Sequence, residues 1–145
     1  MNMPFTAMPR EKESILNKEA DEFWNRALKT AKLILQADPD SCASRSYYAA
    51  FYAVSALFAL SGRTFSKHSA LESAVHRDLV KPGHWPKELG TEYSSLLALR
   101  ATGDYGGLEH VSGEEAVEAI QAVQRIFQAV YEAHPDVFSD PADVL

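Results

Sequence analysis

The stretch Tyr47-Tyr48-Ala49-Ala50-Phe51-Tyr52-Ala53-Val54 decides the fold. It is apolar or aromatic all round, with none of the alternation that marks a half-buried strand. A helix without a polar face needs neighbours on several sides, which places it at the centre of an all-α bundle. Its alanines let neighbouring helices approach closely, and its tyrosines put hydroxyls where the core meets polar groups. The helix is predicted over about Ser41 to Leu60, with Ser61-Gly62 as its stop.

Upstream, Leu16, Ala20, Phe23, Trp24, Ala27, Leu28, Ala31, Ile34 and Leu35 follow the rhythm of one buried stripe, predicting a long helix from near Pro9 to Ala37. Ala37-Asp38-Pro39-Asp40 ends it, because proline lacks the amide donor and clashes with a preceding turn. Downstream, a shorter helix on Leu71, Val75 and Leu79 is predicted to begin after Ser66, with Ser69 and Glu72 fitting a capping box and Pro82-Gly83 closing it. A fourth helix is predicted from Lys87 to Ala101, broken by Gly103, Gly106 and Gly107. Ser112-Gly113-Glu114-Glu115 is a second capping box, opening a last helix that runs to Pro135. Four to five helices with short connections make an up-down antiparallel bundle the expected architecture. The predicted organisation is a tail over 1–9, one helical domain over 10–134 and a loose acidic tail over 135–145.

The chain has 145 residues, one cysteine and a net charge of −6. That length suits one domain with a real core, and a single Cys excludes a disulfide scaffold or a Cys-based zinc site. The charge is unevenly spread: residues 1–45 sum to 0, residues 46–100 to +2 and residues 101–145 to −8. Bulk attraction for nucleic acid is therefore weak, while the centre leaves room for a local anion site. Residues 1–14 lack the apolar core of a secretory signal, and Tyr47 to Leu60 is too short to span a bilayer, so a soluble, cytoplasmic protein without membrane contact is expected.

Metal and cofactor chemistry find little support. His68, His76, His84, His110 and His134 are scattered, and a helix would hold His68 and His76 about 12 Å apart. No Glu-x-x-His pair and no Walker lysine occurs, so no metal or cofactor is expected. Cys42 reads as a small core residue.

Two segments carry charge into apolar helices: Ser44-Arg45-Ser46-Tyr47-Tyr48 and Leu99-Arg100-Ala101-Thr102-Gly103-Asp104-Tyr105. Arg100, near a predicted helix end, is explained by capping and the dipole. Arg45, near a helix start, is not, and needs a carboxylate such as Asp104. One reading is a buried Arg–Asp pair joining two helices; the other is a site for phosphate, with tyrosine hydroxyls beside the cations.

These two runs, with Lys67-His68-Ser69-Ala70-Leu71 between them, resemble the HEPN domain superfamily, and most closely its small single-domain prokaryotic branch. The likeness covers roughly residues 10–133. It implies an up-down bundle that commonly forms homodimers, often encoded beside a minimal nucleotidyltransferase as a toxin–antitoxin pair. Many members act as metal-independent RNases through an Arg-x4–6-His motif at a helix end, the arginine stabilising phosphate and the histidine moving a proton. The matching arginine here is Arg100, but Tyr105, Gly106 and Gly107 stand at the fifth to seventh places beyond it, and the next histidine is His110. Arg63-Thr64-Phe65-Ser66-Lys67-His68 satisfies the spacing literally, in the connection between two helices rather than at the helix end the family uses.

The expected site therefore gathers Arg45, Tyr48, Arg100, Asp104 and Tyr105, with Lys67 and His68 as an anion-binding helix start. The expected role is binding of nucleotide or RNA phosphate within a nucleotidyltransferase-linked module. The alternatives are a metal-independent RNase toxin and a purely structural partner domain.

Overall fold

The computed structural model of the chain describes residue 22, residues 24–105 and residues 107–141. Five α-helices and no strand occur among the described residues: α1 (residues 24–34), α2 (Pro39–Ala59), α3 (His68–Ala74), α4 (Lys87–Tyr105) and α5 (Gly113–Ala133). α3 continues as a π-helical stretch over Val75–Val80. None of these helices is long and apolar enough to cross a membrane. The predicted start of α1 and its apolar positions Leu16, Ala20 and Phe23 lie outside the described residues.

α2 is central, as its sequence requires, packing against both α4 and α5. Ala43, Ala49, Ala50 and Ala53 are fully buried, as are Cys42 and Tyr47. Its start is set locally: Pro39 occupies the first turn, where its missing donor costs nothing, and the Asp38 carboxylate accepts from Ser41 N at 3.1 Å. The proline that ends one helix thus begins the next. Contacts of Asp40 with Gly103 and of Tyr48 with Arg100 run α2 and α4 antiparallel. α5 opens with the predicted capping box, Ser112 and Glu115 satisfying each other's backbone amides. At the far end Trp24 of α1 lies against Phe127 of α5.

Three local expectations are corrected. α4 does not stop at Ala101 but continues through Gly103 to Tyr105. Gly103 is there for contact rather than for a break: a Cβ on it would sit 2.7 Å from the Asp40 carbonyl oxygen. The helix tolerates a glycine costing about 1 kcal/mol because the glycine lets α4 touch the first turn of α2. Second, the third helix does begin just after Ser66, at His68, but Ser69 and Glu72 form no capping box: the N-cap is Lys67, two residues before Ser69, and it lacks a side-chain bond. His68 is drawn inward by a tertiary partner, and that contact sets the boundary. Third, the segment after Pro135 is not loose throughout. Phe138 is buried, its ring 5.2 Å from that of Trp24, because a turn after α5 folds it back over the end of the bundle.

The π-helical stretch meets α4 at Gly90, where a Cβ would lie 2.6 Å from Val80 Cγ2. The wide turn and the missing side chain fit one another. α3 is thereby held against α4, with His76 Nε2 2.7 Å from Ser94 Oγ. This placement brings the first residue of α3 over the middle of α2.

Candidate functional site

Two adjacent tyrosines of α2 each receive a polar side chain from another helix. Tyr48 Oη accepts from Arg100 Nη2 of α4 at 2.9 Å, and Tyr47 Oη lies 2.7 Å from His68 Nδ1 of α3. Neighbouring positions on a helix point about 100° apart, so the pair spreads its hydroxyls toward two different elements. Arg100 also lies over both rings, 5.9 Å from the Tyr47 centroid and 5.4 Å from that of Tyr48. One turn along α4, Asp104 Oδ2 is 3.0 Å from Arg100 Nε.

The arginine side chain is 15% exposed and Asp104 27%, so the ion pair sits in a recess rather than on an open face. A guanidinium held by a hydroxyl, a carboxylate and two ring faces has little freedom to lose on meeting a ligand. His68 completes the recess, its ring among those of Phe51, Tyr47 and Tyr48 at centroid distances of 4.7, 5.4 and 5.9 Å. Burial, with the Arg100 cation second, lowers its proton affinity below that of ordinary histidine, keeping the imidazole neutral near pH 7. Its Nε2 makes no hydrogen bond among the described residues.

Behind Tyr47 lies Tyr93 of α4, fully buried, with ring centroids 6.1 Å apart. Burial pushes the Tyr47 phenol up to about 12 and raises that of Tyr93 further, so both remain protonated. Tyr93 Oη is buried and makes no well-directed hydrogen bond among the described residues, the Tyr47 hydroxyl beside it being close enough to act on its acidity as a hydrogen-bonding neighbour.

Of the residues expected from sequence, Tyr48, Arg100, Asp104 and His68 come together. Arg45 does not take Asp104, which Arg100 holds; it is exposed on α2 one turn before Tyr48, on the same side of the helix. Lys67 is exposed beside His68, and Tyr105 closes α4. The dipole account of Arg100 is replaced, since the helix runs five residues past it and its side chain turns to Tyr48. The literal Arg63–His68 spacing is a coincidence of sequence: Arg63 Nη1 is bonded to Asp78 at 2.7 Å, with its guanidinium over Phe58 and Phe65. His110 is also elsewhere, with Nδ1 2.8 Å from Asp40 Oδ2. Tyr47 and Tyr93 were not selected from sequence, because buried tyrosines in an apolar run look the same whether or not they hold a polar group.

The HEPN domain profile matches residues 16–133. The chain belongs to the HEPN domain family. Relatives of this HEPN chain include a UPF0332 protein of Thermotoga maritima, 39% identical over 125 residues, covering 83% of this chain and 91% of the relative. A UPF0332 protein of Gloeobacter violaceus is 30% identical over 122 residues, covering 81% and 97%. These matches span nearly the whole bundle, so the Arg100 and His68 helices belong to one HEPN domain.

Proposed function

We propose that this HEPN domain binds a nucleotide or RNA phosphate at Arg100. The observation that supports it is the convergence of Arg100 and His68, from different helices, on the neighbouring hydroxyls of Tyr48 and Tyr47. Arginine matches phosphate through paired N–H donors, and an enclosed guanidinium does so more strongly than an exposed one. Tyr48 stacks on Tyr52, their centroids 6.2 Å apart and planes at 29°, and Tyr52 is partly exposed. That gives a base a surface to stack on beside the phosphate. Arg45 and Lys67, both exposed, add positive charge around the recess.

Thermal unfolding with 5′-UMP and with a short single-stranded RNA tests this reading. Binding at a hundredfold excess over Kd stabilises by about 2.7 kcal/mol. Arg100→Ala is expected to remove the shift; a shift that survives in that variant places the ligand elsewhere.

A second reading, a metal-independent RNase, is favoured by one observation: His68 stands near Arg100 although no histidine follows Arg100 at the family spacing. Cleavage of RNA in chelator, lost in both Arg100→Ala and His68→Ala, is its expected signature. Intact RNA that nonetheless stabilises the protein leaves binding as the role. The resemblance further implies a homodimer and a minimal nucleotidyltransferase partner in a toxin–antitoxin module. Sedimentation of the purified chain and co-purification with a neighbouring nucleotidyltransferase test these directly.

A further inference from the structure

The recess contains two groups whose bonding is incomplete among the described residues. Tyr93 Oη is buried without a well-directed hydrogen bond, beside the Tyr47 hydroxyl, at the inner end of a line that runs Tyr93, Tyr47, His68. A buried hydroxyl without a well-directed bond is costly, so a state that aims a donor at it is favoured. At the outer end His68 Nε2 makes no hydrogen bond among the described residues, beside the guanidinium where phosphate would arrive.

Resting on the reading of Arg100 as a phosphate site, we propose that His68 takes up a proton when phosphate binds, so that the ligand enters as an anion plus a proton. An imidazolium donates from both nitrogens. Nε2–H then donates to a phosphate oxygen, and Nδ1–H donates to Tyr47 Oη. The Tyr47 hydrogen turns away from His68 and toward Tyr93 Oη, giving that hydroxyl a directed donor. No covalent bond changes except N–H formation at His68, the proton coming from solvent.

The charges around His68 support this order of events. Arg100 faces it from α4 and, with burial, keeps the empty site's imidazole neutral. Tyr47 and Tyr48 face it from α2 as protonated phenols or rings, Tyr93 stands behind Tyr47, Glu72 lies one turn on along α3, and Lys67 precedes it. Asp104 acts mainly through Arg100, which it already offsets. A phosphate adds the negative charge that turns this balance, and the proton affinity of His68 rises with the ligand in place.

The sign follows from linkage. A group whose proton affinity is higher in the complex strengthens binding as pH falls through its bound-state pKa, and the gain levels off below its free-site value. The slope is at most about tenfold in affinity per pH unit. A phosphomonoester has its own ionisation near pH 6, so the dinucleotide UpU, whose diester keeps one charge, is measured beside 5′-UMP. The two probes also separate a terminal phosphate from an internal one as the natural source.

Calorimetric titration of the full chain with each probe between about pH 5 and 8 is the experiment. UpU affinity is expected to rise toward low pH in the wild type and to be flat in His68→Gln. The His68 imidazole, assigned by its absence from the His68→Gln NMR spectrum, is expected to gain about one pKa unit or more with ligand. Flat wild-type affinity, or a slope that persists in His68→Gln, overturns the coupling while leaving the phosphate site standing. Absence of binding by both probes at every pH overturns the site and the coupling together.

Discussion

Arg63 and Arg100 are built from the same parts and used differently. Each guanidinium lies over two aromatic rings and is paired with an aspartate, Asp78 at 2.7 Å for Arg63 and Asp104 at 3.0 Å for Arg100. At Arg63 the rings are phenyls, Phe58 and Phe65, and the ion pair ties the middle of the α2–α3 connection to the π-helical stretch. At Arg100 the rings are tyrosines, one of which holds the arginine and the other a histidine. The side chain at Arg63 is 37% exposed and at Arg100 15%, so solvent weakens the first pair more than the second. An arginine–aspartate pair on aromatic rings is thus a clip by default. Hydroxyls and an imidazole around it are what make the second one a site.

The sharpest test of that contrast is the pair of alanine variants measured for binding. Arg100→Ala is expected to weaken UMP affinity about tenfold to a hundredfold, the worth of a charge-assisted hydrogen bond, with Arg63→Ala unchanged. Equal losses in both variants would erase the distinction. Next in size, Gly103→Ala is expected to cost about 1–3 kcal/mol in chemical denaturation, because the methyl group meets backbone rather than a movable side chain. Since Gly103 positions α4, and with it Arg100, binding should weaken along with stability. Arg63→Ala is expected to lower stability by about 1 kcal/mol, combining an exposed ion pair with its ring contact.

The smallest effect is one of acidity. Arg77 and Arg63 hold the Asp78 carboxyl at about 2, below the ordinary 3.8. A depressed carboxylate contributes stability that is complete above the unfolded value and is lost as pH falls through the folded one. The clip should therefore weaken from about pH 4 toward pH 2, by under about 1 kcal/mol, and this acid-sensitive part should be absent in Asp78→Asn.

Much of the bundle was legible because its signals are local. The Ser112 box, the Pro39 boundary and the all-round apolar face of α2 each depend on residues within a turn or two. What was misread depends on partners far along the chain. Gly103 looks like a helix break until Asp40 is seen against it, and Ser69 looks like the cap of α3 until His68 is seen on Tyr47. Phe138 follows a proline in a polar segment, and only Trp24 shows why it is apolar. The same division runs through the site. Arg100 stood out as a charge entering an apolar helix beside Tyr48, whereas the assignment of Asp104 to Arg100 rather than Arg45 required that α4 run on through Gly103, which makes the two an i, i+4 pair. The line of hydroxyls behind His68 left no mark in composition or spacing.

Asp40 has a consequence for how the chain tolerates change. Its carbonyl abuts Gly103, its Oδ1 accepts from Val111 N at 2.7 Å, and its Oδ2 lies on His110. Both ends of the α4–α5 connection are therefore fastened to the same residue of α2, while Leu108 between them is fully exposed. Such a loop is a permissive splice point. A tag or a short peptide inserted after Leu108 should leave Arg100 and the start of α5 where they are, because neither is held in place by the loop that joins them.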